Sequence, residues 1–229
     1  MSFAVRPIGL VKSAFVFRQT ISSDATNYVL RNAAITAGWD GIVPLDAEVT
    51  VASGIVLSAN STSLYGFDTG SGFPAGTTLK LIMPGYVCGM GGAGGASYTA
   101  GSNGGPALRA QYAISIDAAG GVIGGGGGGG GSKGGGGGGR SGRTDAAGGT
   151  GVPAGESGTF SSGGSGGHGG GAGGTTGPGG DHVRGGGGGG WGASGGTAGS
   201  DAGGTGGAAV VGNSYITWIN TGTRYGAIT

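Results

Sequence analysis

The chain has 229 residues, 68 of them glycine, a 9% charged content and a formal net charge of +1. Near neutrality gives no basis for a general nucleic-acid or acidic-surface partner, and one cysteine, Cys88, excludes an internal disulfide framework. No apolar run approaches the length needed to span a bilayer.

The glycines are unevenly spread. Residues 1–84 hold 8 of them and residues 85–229 hold the other 60. Such runs are ordinarily flexible linkers. Disordered segments, however, usually carry high net charge or abundant Pro, Glu, Ser and Lys, and this chain does not. Three regions are expected: an N-terminal domain over 1–84, a glycine-rich domain over 85–212, and a C-terminal hairpin over 213–229 packed back on the scaffold.

The opening "MSFAVRPIGLVKSAFVF" is interrupted by Arg6, Pro7 and Lys12 and lacks the apolar core of a secretory signal. The product is expected to be made in the cytoplasm. The next stretch, "SSDATNYVLRNAAITAG", predicts a short helix over about 22–37. Ser22, Ser23 or Asp24 would cap its start, and Gly38 would lie just past its end. "AEVTVASGIVLSANS" predicts strands, because Val49 and Val51 alternate with polar residues and Ile55–Leu57 is a short apolar run. "PAGTTLKLIMPGYVCGMGG" repeats the pattern between the turns at Pro74–Gly76 and Pro84–Gly85, with Leu79, Leu81 and Met83 on one face. Cys88 reads as a small buried apolar residue.

Glycine blocks then alternate with clusters at 140–147, 152–162, 181–184 and 191–202. "AQYAISIDAAGGVIGG" predicts a strand leading into the longest block, and Ile216, Trp218 and Asn220–Gly222 give the hairpin expectation. Collagen is excluded, since the blocks do not keep glycine at every third position. The alternative ordered form is polyglycine II, a left-handed threefold helix rising about 3.1 Å per residue with no internal hydrogen bonds. Its backbone groups point outward and must find partners on neighbouring rods. Glycine's large entropy loss on folding would be offset only if each run were one rod in a bundle. The clusters would then be loops gathered at the two ends of a stiff block, and loops on rigid scaffolds commonly carry binding residues. The fold class expected is mostly β and irregular: a small strand-rich part with one short helix, a sandwich of polyglycine II helices, and a closing hairpin.

Familiar chemical motifs fail on context. G-x-G-x-x-G matches many times by composition, but without the strand, helix and distant acid of a dinucleotide site. In "GGSKGG", Lys133 precedes Gly134 rather than Ser or Thr, unlike a phosphate loop. The two histidines, His168 and His182, lack metal-ligand spacing, and the Asp181–His182 pair has no nucleophile beside it. Lys80 and Arg109 read as solvated charge. No enzyme activity, cofactor or metal is expected.

The run "VTVASGIVLSANS", then "GFPAGTTLKLIMPGYVCGMGGAGG" and "ISIDAAGGVIGGGGGGGG", resembles the glycine-rich adhesins at the tips of T-even-type bacteriophage long tail fibres. The resemblance covers roughly residues 20–229 and includes "NYVLRNAAITAGWDG". It implies attachment of the N-terminal part to a phage tail-fibre protein, as a monomer on a trimeric fibre or as a homotrimer. It also implies loops that recognise an outer-membrane protein or lipopolysaccharide of the host. On that basis the receptor-binding residues expected are Arg140, Arg143, Asp145, Phe160, Asp181, His182, Arg184 and Trp191. Two other readings compete: a structural or assembly module without receptor contact, and a polyglycine ice-binding protein.

Overall fold

The computed structural model describes residues 13–167, 170–174 and 176–229. His168 therefore lies outside the described residues.

The chain winds as a parallel solenoid. Its first coil holds β1 (Phe15–Ile21), β2 (Ala25–Thr26) and β3 (Tyr28–Val29). The second holds β4 (Leu45–Val51), β5 (Val56–Ser58) and β6 (Phe67–Asp68); the third holds β7 (Thr78–Ile82), β8 (Tyr86–Cys88) and β9 (Leu108–Arg109). The fourth holds β10 (Ile114–Asp117), β11 (Val122–Gly124) and β12 (Val210–Val211). The last carries β13 (Ile216–Asn220) and β14 (Thr223–Tyr225), and Ile228 bridges in parallel to Val210. The strands stack into three sheets, ordered β1-β4-β7-β10-β13, β2-β5-β8-β11-β14 and β3-β6-β9-β12. Every pairing between them is parallel.

Alternation of apolar and polar residues decides which face turns inward. In β4, Leu45, Ala47, Val49 and Val51 are buried while Asp46, Glu48 and Thr50 are not. Leu57, Phe67, Leu81, Met83, Leu108, Ile116 and Ile123 complete a continuous core through successive coils. A polar pair fixes the corner between the second and third strands of the first two coils. Asn27, in the left-handed region at φ 52°, donates its Nδ2 to Asn60 Oδ1 at 2.8 Å, and Asn60 N donates back to Asn27 Oδ1 at 3.1 Å.

The helix is shorter than the sequence predicts. It spans Leu30–Thr36, and residues 25–26 and 28–29 are strands instead. Solenoid pairing overrides the local propensity there, because β2 and β3 have ready partners in β5 and β6. Asp24 caps no helix; its Oδ1 accepts the amide of Val56 at 2.9 Å. Gly38 does follow the C-cap Ala37, at φ +103°.

The C-terminal strands form, but not as a hairpin. β13 pairs with β10 and β14 with β11, and neither pairs with the other. The preceding coil already offers an open edge to each strand, so Gly222, at φ +60°, turns a solenoid corner rather than a tight hairpin.

The glycine-rich sequence enlarges the same corner in two successive coils. Residues 89–107 separate β8 from β9, and residues 125–209 separate β11 from β12. The solenoid strands β9, β10 and β11 thus lie between these two insertions, inside the 85–212 range expected to be the glycine-rich domain.

Segment 124–131 lies at the centre of the block, and its hydrogen bonds repeat every three residues. Gly126 and Gly129 donate to the carbonyls of Gly105 and Ser102, Gly127 and Gly130 to those of Arg140 and Gly137, and Gly128 and Gly131 to those of Ala193 and Gly196. Gly124, Gly127 and Gly130 accept from Gly89, Gly92 and Gly95. Gly125, Gly128 and Gly131 accept from Gly192, Gly189 and Gly186, while Gly126 and Gly129 accept from Gly207 and Gly204. Six neighbouring segments therefore saturate one glycine run. A three-residue period with outward-pointing groups is the bonding that threefold glycine helices require. Side chains are excluded by contact: a Cβ on Gly130 would overlap the Gly186 carbonyl, and one on Gly188 the Gly138 carbonyl.

Candidate functional site

Each glycine segment runs away from the solenoid or back toward it, so its loops fall at a near end or a far end. Segment 124–131 begins beside Tyr225 of β14, where Gly125 N donates to the Tyr225 carbonyl at 2.9 Å, and it ends at Ser132.

At the near end an aromatic cluster joins the block to the solenoid. Trp191 packs against Val56 and Cys88, with Tyr86, Phe160 and Tyr225 around it. Its ring centre lies 5.5 Å from that of Phe160, 6.2 Å from Tyr86 and 6.1 Å from Tyr225. The ring covers Gly124, where a Cβ would meet it at 2.8 Å. The Arg140 guanidinium carbon stands 3.4 Å from the Trp191 ring centre, and Arg140 Nε donates to the Phe160 carbonyl at 2.8 Å. Burial holds the Arg140 pKa below its ordinary value. Arg143 Nε donates to Asp24 Oδ2 at 2.6 Å and its guanidinium lies 4.7 Å from the Phe160 ring centre.

Arg140 and Trp191 are only 7% and 4% exposed. That does not fit the receptor contact expected of them; with Phe160 they cement the junction. Arg143 is more open but is tied to the first coil. Asp145, also at the near end, is exposed and borders a cleft with Asn60, Ser61, Thr62 and Ser102.

The far end gathers different loops. Thr99 and Ser132 exchange backbone hydrogen bonds, and Lys133 N and Gly134 N both donate to the Arg184 carbonyl at 2.7 Å. His182 N donates to the Thr197 carbonyl at 3.1 Å. Thr197 N donates to Asp181 Oδ1 at 2.7 Å, which lowers the Asp181 pKa. Loop 150–154 borders Gly134, since a Cβ on Gly151 would overlap the Gly134 carbonyl. Asp181, His182 and Arg184 all lie on this far-end loop.

Sequence reading passed over the large exposed apolar residues here. Tyr98, Val152 and Val183 are 74%, 91% and 69% exposed, and all three sit on far-end loops. Lys133 is exposed beside them. Tyr98 stands in the left-handed region at φ 59°, unusual for a bulky residue. The available signal was position: Tyr98 and Lys133 each interrupt glycine blocks.

The family model for phage tail fibre adhesin Gp38 matches residues 16–229. The chain belongs to this adhesin family. A crystal structure of the gp37-gp38 adhesin tip complex of the bacteriophage S16 long tail fiber resembles the adhesin with a TM-score of 0.67 and 25% identity. The likeness covers 93% of this chain and 82% of that one. No curated protein sequence matches. Family and fold make the chain a tail-fibre tip adhesin of the virion, a mostly β protein of structural rather than enzymatic character.

Proposed function

We propose that the adhesin recognises a receptor on the bacterial outer membrane through its far-end loops, displayed on a rigid block of polyglycine II helices. One observation carries this reading. At the near end Arg140, Phe160 and Trp191 are spent on holding the block to the solenoid, whereas the far-end loops present Tyr98, Val152 and Val183 to solvent beside Lys133 and Arg184. Exposed apolar groups rimmed by polar ones mark interaction sites. The period-three bonding supports the helical reading of the block and explains why the loops need little ordering on binding. The receptor is an outer-membrane protein or lipopolysaccharide.

The N-terminal part, expected over 1–84 to serve attachment, would hold the tail-fibre protein, with the adhesin as a monomer on a trimeric fibre or as a homotrimer. The support is the S16 relative, whose structure is a complex of gp37 with gp38.

The deciding experiment is binding of the purified adhesin to whole Gram-negative cells, compared with cells lacking single outer-membrane proteins or carrying truncated lipopolysaccharide. Loss on one mutant, reproduced by the adhesin variant Tyr98→Ala/Val183→Asp on wild-type cells, supports the reading. Binding unchanged by that variant overturns the assignment to the far end.

A further inference from the structure

A cleft of about 350 Å³ is lined by none of the far-end residues Tyr98, Lys133, Val152, Val183 and Arg184. Three parts of the chain meet there: the 60–62 corner of the second coil, the first glycine insertion at Met90, Gly91, Ala93 and Ser102, and the near-end loop at 145–147. It lies at the small end of ligand-sized clefts, which start at about 300 Å³.

Of its polar lining residues, Asn60, Thr62, Ser102 and Asp145 are exposed. Asn60 Oδ1 is taken up by Asn27, which leaves the Asn60 Nδ2 donor available to the cleft. Among the described residues, the side chains of Thr62, Ser102 and Asp145 hold no hydrogen bond within the protein. Met90 and Ala93 add an apolar patch between these polar groups. One carboxylate acceptor, one amide donor and two hydroxyls, set round a thioether, match a ligand whose hydroxyls donate and accept on one face while its C–H groups pack on another. A phosphate would meet Asp145 and no cation. An apolar ligand would strand the polar groups unpaired.

We propose that this cleft binds a single neutral sugar residue, with the Asp145 carboxylate accepting from adjacent hydroxyls, the Asn60 amide donating, and Met90 under the ring. The site is separate from the far-end surface and does not rest on it.

The test is saturation-transfer NMR on the full chain with glucose, galactose and N-acetylglucosamine at millimolar concentration. At least one sugar is expected to show transfer. Asp145→Asn should cut that signal at least fivefold, and Ala93→Tyr, which fills the cleft, should remove it, with the melting temperature of each variant unchanged. Lys133→Ala/Arg184→Ala should leave it intact, which separates this site from the far-end one. Absence of transfer from all three sugars overturns the proposal, as does transfer insensitive to both cleft variants.

Discussion

The guanidinium carbon of Arg140 stands 3.4 Å from the centre of the Trp191 ring, and both side chains are buried where the glycine block meets the solenoid. A cation over an indole face is worth about 2 kcal/mol when desolvated, and truncating a buried Trp costs about 3–5 kcal/mol. Trp191→Ala is therefore expected to destabilise the adhesin by about 3–5 kcal/mol in denaturant titrations. Arg140→Ala is expected to cost about 2 kcal/mol. Any loss of host binding in these variants should follow the loss of fold and return on cooling.

The glycine block should tolerate substitution position by position. Gly130 is enclosed by backbone, whereas a Cβ on Gly171 meets nothing within 4 Å. Gly130→Ala should cost about 3 kcal/mol or more, since packed backbones cannot move aside. Gly171→Ala should stay within about 0.5 kcal/mol of the parent. Thermal melts of the two variants compare them directly, and equal melting temperatures would contradict the close packing of the block.

Burial pushes the Cys88 thiol up to about 12, against about 8.5 in an unfolded chain. The fold thus favours the protonated thiol. That contribution is complete below about pH 8.5 and is lost as pH rises toward the folded value. Stability should fall by up to about 1.4 kcal/mol per pH unit above about pH 8.5. Cys88→Ala should flatten this slope between about pH 8.5 and 9.5, below the range where tyrosines titrate at about 10. Urea midpoints at several pH values measure it.

Arg143 and Asp24 link the near-end loop to the first coil across 2.6 Å, with side chains 45% and 37% exposed. Pairs this open are worth at most about 1 kcal/mol. A double-mutant cycle of Arg143→Ala and Asp24→Ala should return a coupling within that limit, smaller at high salt.

Charge at the far end should act on the rate of host capture. Lys133→Glu combined with Arg184→Glu is expected to slow adsorption about tenfold at low ionic strength, with the difference shrinking as salt is added. Phage adsorption kinetics on sensitive cells give the readout, and unchanged melting would show that the scaffold is untouched.

Local sequence determined a good part of this protein. The alternation of Val49 and Val51 in "AEVTVASGIVLSANS" and the apolar residues of "AQYAISIDAAGGVIGG" marked strands, Gly38 marked the end of the helix, and the motifs around Tyr86–Gly92 and Ile114–Gly131 carried the family resemblance. Pure glycine runs announced close backbone contact, because no other residue permits it. The tertiary structure decided the rest. Residues 25–29 became strands and the C-terminal strands parted, because parallel pairing is set by the neighbouring coil, not by local propensity. Which end each loop reaches depends on the direction of its glycine segment, and glycine carries no side chain to record it. Arg140 and Trp191 therefore looked like binding residues and proved to be the junction, while Tyr98, Val152 and Val183 reached solvent on loops whose own sequence is unremarkable.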